Sequence, residues 1–306
     1  MKRRTVFAIL FGALLVAGCA GQTPTTTEEG ETDGASAPEA AEASFAQLRT
    51  MDDETLRSKF QPLGDMPIPE DNPMTDAKVE LGKMLFADPR LSVNDQVSCM
   101  TCHNPSNGWS DGLPTSKGID VVRRNAPTII NSGYYDVLFW DGRAGSLEEQ
   151  AAGPLSDAKE MGNADLEAMV EEVKNIKGYQ PYFDEAFDGE ITLENILKAI
   201  GAFERTIVVN DTKYDRFMAG DDEAMTDEEK LGMELFVTKG CITCHAGPNF
   251  TDLNFHNIGM MGEDKGLMER TEKAEDEGKF RTPGLRGVAY TAPYMHDGSV
   301  ATLEEV

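Results

Sequence analysis

Apolar residues fall into a helical rhythm at Leu81, Leu85 and Phe86, spaced i, i+4, i+5 within Glu80-Leu81-Gly82-Lys83-Met84-Leu85-Phe86. The same spacing returns at Leu231, Leu235 and Phe236 within Lys230-Leu231-Gly232-Met233-Glu234-Leu235-Phe236. Such spacing lays a single apolar stripe along one helix face. Just upstream, Thr75-Asp76 and Thr226-Asp227 offer N-caps. Asp165 to Ile176 and Thr192 to Val208 keep a 3.6-residue pattern with Ala, Leu, Ile and Met on one side, so their methionines and aromatics read as core. Gly178-Tyr179-Gln180-Pro181 and Asp188-Gly189-Glu190 interrupt these helices. The charged stretch Gly262 to Gly278 reads as a solvated loop or exposed helix, and no alternating pattern runs for more than a few residues. The prediction is a mainly α chain built on an internal repeat.

The first residues follow a different pattern. Lys2, Arg3 and Arg4 precede an uncharged apolar run from Val6 to Ala17, too short to span a bilayer comfortably but suited to a signal-peptide core. The run ends in Leu15-Val16-Ala17-Gly18-Cys19, which resembles a bacterial lipobox with Cys19 as the lipidated residue; an ordinary signal peptide cleaved near Ala20 is the alternative. Both imply export. Residues 1–19 are therefore assigned to the leader and lipobox, and 20–44, rich in Thr, Glu, Ala, Gly, Ser and Pro, to a disordered tether. Such a coil reaches roughly 25 Å on average. The expected location is the periplasm, with contact to the membrane through the lipid anchor only.

Charge narrows the partners. The net charge is −26, and more negative still once Lys2, Arg3 and Arg4 leave with the leader. Nucleic acid is a poor partner because phosphate binding needs a basic face. A protein partner with a basic face suits this chain, although most of these carboxylates serve solubility equally well.

The chemistry enters with the cysteines. Apart from Cys19 there are Cys99, Cys102, Cys241 and Cys244, in Cys99-Met100-Thr101-Cys102-His103 and Cys241-Ile242-Thr243-Cys244-His245. C-x-x-C-H is the c-type haem attachment pattern. Two thiols on one helical turn can each form a thioether to a haem vinyl group, and the next residue, histidine, projects beneath the macrocycle to ligate iron. A structural zinc site would have to join pairs from different halves of the chain and would leave both histidines idle. Two short disulfides leave the histidines equally unexplained, and a thioredoxin-like pair would want a βαβ setting. With only four histidines in the chain, two in this position point to two haems. Each half then reads as capped helix, loop and haem site, as duplicated cytochrome c-like units would.

Further segments carry a resemblance from about Asn72 onward. They are Leu81-Gly82-Lys83-Met84-Leu85-Phe86 with Asp88-Pro89-Arg90-Leu91-Ser92, Arg124-Asn125-Ala126-Pro127-Thr128, Phe139-Trp140-Asp141-Gly142-Arg143-Ala144 with Ser146-Leu147-Glu148 and Gly153-Pro154, and Leu285-Arg286 with Thr291-Ala292-Pro293-Tyr294-Met295-His296-Asp297-Gly298. In this order they resemble the di-haem cytochrome c peroxidase/MauG family. The resemblance implies two cytochrome c-like haem domains with a haem-bridging interface: residues 45–210 as a peroxidatic domain and 211–306 as an electron-transfer domain. It makes the haem on Cys99, Cys102 and His103 the peroxide-reacting one, and the haem on Cys241, Cys244 and His245 the electron acceptor. Trp140 matches the tryptophan between the haems, Gln150 and Glu160 the distal amide and carboxylate, and Pro154 a residue shaping the same pocket. A carboxylate near the iron can move the peroxide proton from one oxygen to the other, and an amide can hydrogen-bond the bound peroxide. Asn125, Thr291 and Pro293 match residues holding a calcium ion between the haems, where amide and carbonyl oxygens suit a hard cation.

Two departures matter. Members that need reductive activation carry a histidine after Leu-x-Thr-Ser, yet Leu113-Pro114-Thr115-Ser116-Lys117-Gly118-Ile119-Asp120 has none. A five-coordinate first haem is therefore predicted, as in MauG-like members. The distal ligand of the second haem is expected about fourteen residues past His296, beyond Val306. The sequence is thus expected to continue, with Thr302 to Val306 as the start of a helix. Met260, Met261, Met268 and Met295 are substitutes in principle, and His256 is a candidate hydrogen-bonding neighbour.

The leading expectation is a peroxidase reducing hydrogen peroxide with electrons from a small cytochrome c or cupredoxin. MauG-like oxidation of a partner protein's side chains is the second reading, and a membrane-tethered electron carrier the non-enzyme alternative. The resemblance also implies a homodimer, the assembly family members often form.

Overall fold

The computed structural model describes residues 45–260 and 262–306; the leader, Cys19, the tether at 20–44 and Met261 lie outside the described residues. It is mainly helical. In chain order the helices used below are α1 Asp53–Arg57, α2 Asp76–Ala87, α3 Cys99–Cys102, α4 Leu147–Ser156, α5 Leu166–Asn175, α6 Gln180–Phe187, α7 Leu193–Glu204, α8 Lys213–Met218, α9 Asp227–Thr238 and α10 Met268–Thr271. Two short strands, β1 Phe255–His256 and β2 Phe280–Arg281, pair antiparallel with Phe255 opposite Arg281.

Both predicted caps form. The Thr75 hydroxyl accepts from the N–H of Lys78, and that of Thr226 from the N–H of Glu229. In α2 the apolar stripe does what its spacing predicts: Leu81, Leu85 and Phe86 are buried in one cluster with Ile196, Ala199 and Ile200 of α7 and Phe183 of α6, to which Met169, Val170 and Val173 of α5 also belong. Helices α2 and α7 meet so closely that a Cβ on Gly82 would stand 1.9 Å from the Ala199 carbonyl oxygen. Only a residue without a side chain permits that approach.

The repeat diverges in α9. Its predicted stripe is not the buried face: Leu235 is 44% exposed, while Lys230, Met233 and Glu234 are buried. The segment after residue 48 covers that other face. Met233 packs with Leu56 and Phe217. Glu234 accepts from the N–H groups of Thr50 and Met51, at 3.0 Å each, and Lys230 pairs with Asp53 at 2.7 Å. Helix α6 also departs from expectation, because Gly178-Tyr179-Gln180-Pro181 opens a helix as well as ending one. Pro181 occupies its first turn, where a missing N–H costs nothing, and Phe183 and Tyr179 are buried. Thr302 to Val306 forms turns instead of a helix, with the Glu305 carboxylate accepting from the N–H of Ala301 at 2.9 Å.

Gly82→Ala is expected to force α2 and α7 apart, and overpacking of this kind costs about 1–3 kcal/mol or more. Thermal denaturation should show the lowered midpoint; an unchanged one would mean that the contact yields freely.

Candidate functional site

The two C-x-x-C-H segments share a local construction. Ser98 precedes α3, and Thr101 returns its hydroxyl to the Ser98 N–H at 3.0 Å, so Cys99 and Cys102 sit on one tight turn. The ring of His103, which follows, is held by Nδ1 against the Trp109 carbonyl oxygen at 3.2 Å. In the second half the ring of His245 is held by Nδ1 against the Phe250 carbonyl oxygen at 2.9 Å. Both acceptors lie on residues in the left-handed region, Trp109 at φ 61° and Phe250 at φ 56°. Such a bond fixes the tautomer that leaves Nε2 free to ligate a metal. Burial lowers the His103 pKa, with the Trp109 contact opposing, which keeps the ring neutral and ready as a ligand.

Each histidine opens onto its own cavity. The first, of about 560 Å³, is lined by Cys102 and His103 together with Trp140, Gln150, Pro154 and Glu160. The second, of about 350 Å³, is lined by Cys244 and His245 together with Asn125, Thr291 and Pro293. Cys102 and Cys244, one from each pair, line different cavities, and no metal-ligating group among the described residues draws on both pairs, which speaks against a shared zinc site. Cys244, Asp252 and His256 do come within 4.8 Å of one another, a trio that could hold a metal only if Cys244 stayed a free thiolate. His256 itself lines the second cavity, with Nε2 at 2.8 Å from the Asp252 carboxylate.

The wall of the first cavity that carries Gln150 and Glu160 comes from α4 and the turn after it. Gln150 and Pro154 are four residues apart, hence on one face of the helix. The Pro154 carbonyl accepts from Met161 at 3.1 Å and the Asp157 carbonyl from Glu160 at 3.1 Å, which folds Glu160 back beside them. The loop at 113–120 packs directly on this turn: the N–H of Ile119 bonds the Glu160 carbonyl at 3.0 Å, and a Cβ on Gly118 would stand 2.4 Å from that oxygen. Burial raises the Glu160 pKa, with Asp157 adding to the rise and Arg143 opposing it. Among the described residues lining this cavity, His103 is the only histidine and there is no methionine. The second cavity differs, since His256, His296, Met260 and Met295 line it.

Trp140 and Arg281 face both cavities, as do residues 125–128 and Tyr135. The indole N–H of Trp140 donates to the Asn125 carbonyl at 2.9 Å, and the Trp140 carbonyl accepts from the Arg281 N–H at 2.8 Å. Arg124 reinforces this junction, binding Asp141 at 2.6 Å on one side and Asp264 at 2.6 Å on the other. Burial pushes the Asp264 carboxyl up, but the Arg124 hydrogen bonds outweigh it and hold the pKa at about 2.

The polar inventory fits a haem in each cavity. Arg281 is buried, and its guanidinium reaches only the carbonyl oxygens of Phe139, at 3.1 Å, and Thr282, at 3.2 Å. A buried cation without an anion is costly. Haem propionates are anions of the right kind, and Arg281 faces both sites. The hydroxyls of Ser116 and Ser132 and one oxygen of Glu204 are also buried without partners, and all three residues line the first cavity. Sequence reasoning missed Trp109, Phe250, Arg281 and Glu204. Two of them act through backbone carbonyls, which leave no mark in residue type. The other two look like ordinary charges in a charged chain.

Comparison with known proteins gives the family. A family model described as di-haem cytochrome c peroxidase matches residues 76–223. The methylamine utilization protein MauG of Methylophilus methylotrophus is 41% identical over 258 residues, covering 82% of this chain and 77% of its own. The chain belongs to the di-haem cytochrome c peroxidase family. Another member, the cytochrome c551 peroxidase of Nitrosomonas europaea, is 40% identical over 248 residues, covering 78% and 74%. Among solved structures, a MauG-like protein associated with microbial copper homeostasis superposes with a TM-score of 0.74 at 36% identity, covering 79% of this chain and 78% of that one. The protein is thus an oxidoreductase, and its family implies two c-type haems. No helix among the described residues is long and apolar enough to cross a membrane.

The Arg124–Asp264 pair generates a prediction. A carboxylate with a depressed pKa stabilises the fold fully above its unfolded value, about 3.9. That contribution is lost as pH falls toward about 2. Arg124→Gln leaves Asp141 to Arg143 alone, at 3.0 Å, and Asp264 to the more exposed Arg123, at 3.5 Å, so the cost falls below the about 3–5 kcal/mol of a fully broken buried pair. Acid titration followed by circular dichroism should show the variant unfolding at a higher pH than the wild type; coincident curves would assign the junction no role in stability.

Proposed function

We propose that the chain reduces hydrogen peroxide to water at the first cavity, with electrons arriving through the second from a small cytochrome c or cupredoxin. In this reading Cys99, Cys102 and His103 hold one haem and Cys241, Cys244 and His245 the other. The units they form are 45–210 and 211–306, with residues 49–57 packed across onto α8 and α9. The observation that carries the reading is the first cavity's composition. It brings Gln150 and Glu160 into one cavity with a pinned His103, and among the described residues lining it there is neither a second histidine nor a methionine. A haem there would supply the redox chemistry on peroxide and a store for electrons.

The chain's own groups then do the rest. Glu160, ionised above its raised pKa, accepts the proton of the incoming peroxide and returns it to the departing oxygen as water. Gln150 orients the peroxide, and Pro154 keeps α4 turned so that both side chains face it. Trp140 lies in the wall between the cavities and is the candidate electron bridge. Asn125 commits its amide nitrogen to the Leu113 carbonyl at 2.8 Å, so its side-chain oxygen is what it offers a cation. With the carbonyls of Thr291 and Pro293 along the same cavity, it supports the calcium site. We further propose export to the periplasm with Cys19 as lipid anchor, and assembly as a homodimer. MauG-like oxidation of a partner protein would use the same cavity, and the 41% identity to a MauG protein favours keeping it as the second reading.

Steady-state peroxide turnover with a reduced small cytochrome should fall by about 10²–10⁴ in Glu160→Gln, with both haems retained by pyridine haemochrome. Because the base form is required and burial raises the Glu160 pKa, wild-type activity should fall on the acid side at a pH above the ordinary glutamate range, and the variant should lose that limb. Unchanged turnover removes Glu160 from the mechanism. The oxidised protein should also give a high-spin ferric EPR signal; a wholly low-spin spectrum overturns the open first site.

A further inference from the structure

Glu204 ends α7, is 3% exposed and lines the first cavity, yet one of its carboxyl oxygens has no hydrogen-bond partner. It belongs to neither the Gln150–Glu160 wall nor any ion pair. Its neighbour Arg205 is committed instead to Glu148, at 2.7 and 3.0 Å. A buried carboxylic acid open to a cavity has to be explained by what the cavity contains. We propose that Glu204 is the proton-holding group of the first haem, taking up a proton when the iron there is reduced and releasing it when the iron is oxidised. This rests on the reading that Cys99, Cys102 and His103 hold that haem.

Charge couples the acid to the iron. Oxidation adds a positive charge inside a low-dielectric cavity, where an anion close by is strongly favoured. Reduction removes it, and burial then favours the neutral acid. One electron and one proton leave or enter together, so the cavity's charge stays constant; in a titration the electron comes from the chemical reductant. The groups facing Glu204 allow this. Arg205 and, from α4, Glu148 oppose each other as influences on it, and burial prevails, pushing the acid up to about 8. From α3 the nearby ionisable group is Cys99, which the attachment would convert to a neutral thioether. Helix α2 meets α7 through Gly82 and Phe86, both uncharged, and the turn at 132–134 presents Ser132. The same cavity is also lined by Arg143, Lys159, Glu160 and Arg281. Arg124 and Asp141 there neutralise one another, with Arg123 engaged by Glu269 and Asp157 beside Glu160.

The test is an optical redox titration of the haem-loaded full chain at several pH values between about 6 and 9, comparing wild type with Glu204→Gln. The wild-type potential of the first haem is expected to fall as pH rises. The variant, which mimics the neutral acid, should stay at the wild type's low-pH value and lose most of the slope. Equal slopes in both, or a pH-independent wild type, overturn the proposal. Should Glu204→Gln not load haem, proton uptake by weakly buffered wild type on reduction near pH 7–8 decides: uptake supports the proposal and its absence sinks it. A wild type carrying only one covalent haem would instead remove the functional reading beneath it.

Discussion

The centre of the molecule depends on a wall that two cavities share. Trp140 gives its indole N–H to the Asn125 carbonyl and accepts the Arg281 N–H on its own carbonyl, while the N–H of Asn125 bonds the His296 carbonyl at 2.8 Å. Buried backbone groups have to be paired, and here Trp140 pairs with Arg281 and Asn125 with His296 across segments more than a hundred residues apart in the chain. Neither cavity can shift without disturbing the other. The electron transfer proposed between the two cavities needs that kind of rigidity, since the geometry of the gap is fixed before any partner arrives.

Around the wall, each half repeats the same minor construction. A turn bearing two cysteines hands over to a histidine, and a carbonyl from a left-handed residue five or six positions later pins the ring. The halves differ in what surrounds this unit. Helix α2 is enclosed by α6 and α7, whereas α9 is flanked by the segment after residue 48 and leaves Leu235 partly exposed. One copy became a deep core and the other a surface-facing unit, which suits a division between a sheltered reaction site and an entry point for charge.

The electrostatics divide in the same way. Outside, an excess of acid gives a net charge of −26. Inside stand a buried cation with no carboxylate, an acid whose pKa burial raises to about 8, and hydroxyls without partners. Buried polar groups left open are costly unless something meets them. Their concentration along the cavities is the physical sign that these walls are shaped around cofactors and not simply around packing.

How much of this was legible beforehand follows from range. The attachment motifs, the caps at Thr75 and Thr226 and the stripe of α2 are local, and a residue pattern determines them because their chemistry is completed within a few residues. Resemblance added Gln150, Glu160 and Trp140, and the fold does bring them to one cavity with His103. Periodicity misjudged α9, since identical spacing says that a face is apolar but not which neighbour arrives to bury the other one. It also missed α6, where Pro181 reads as a breaker until its place in a first turn is known. Arg281 and Glu204 were invisible as special residues. A charge becomes chemistry only when the tertiary structure removes its water and decides what stands opposite, and no stretch of sequence contains that information.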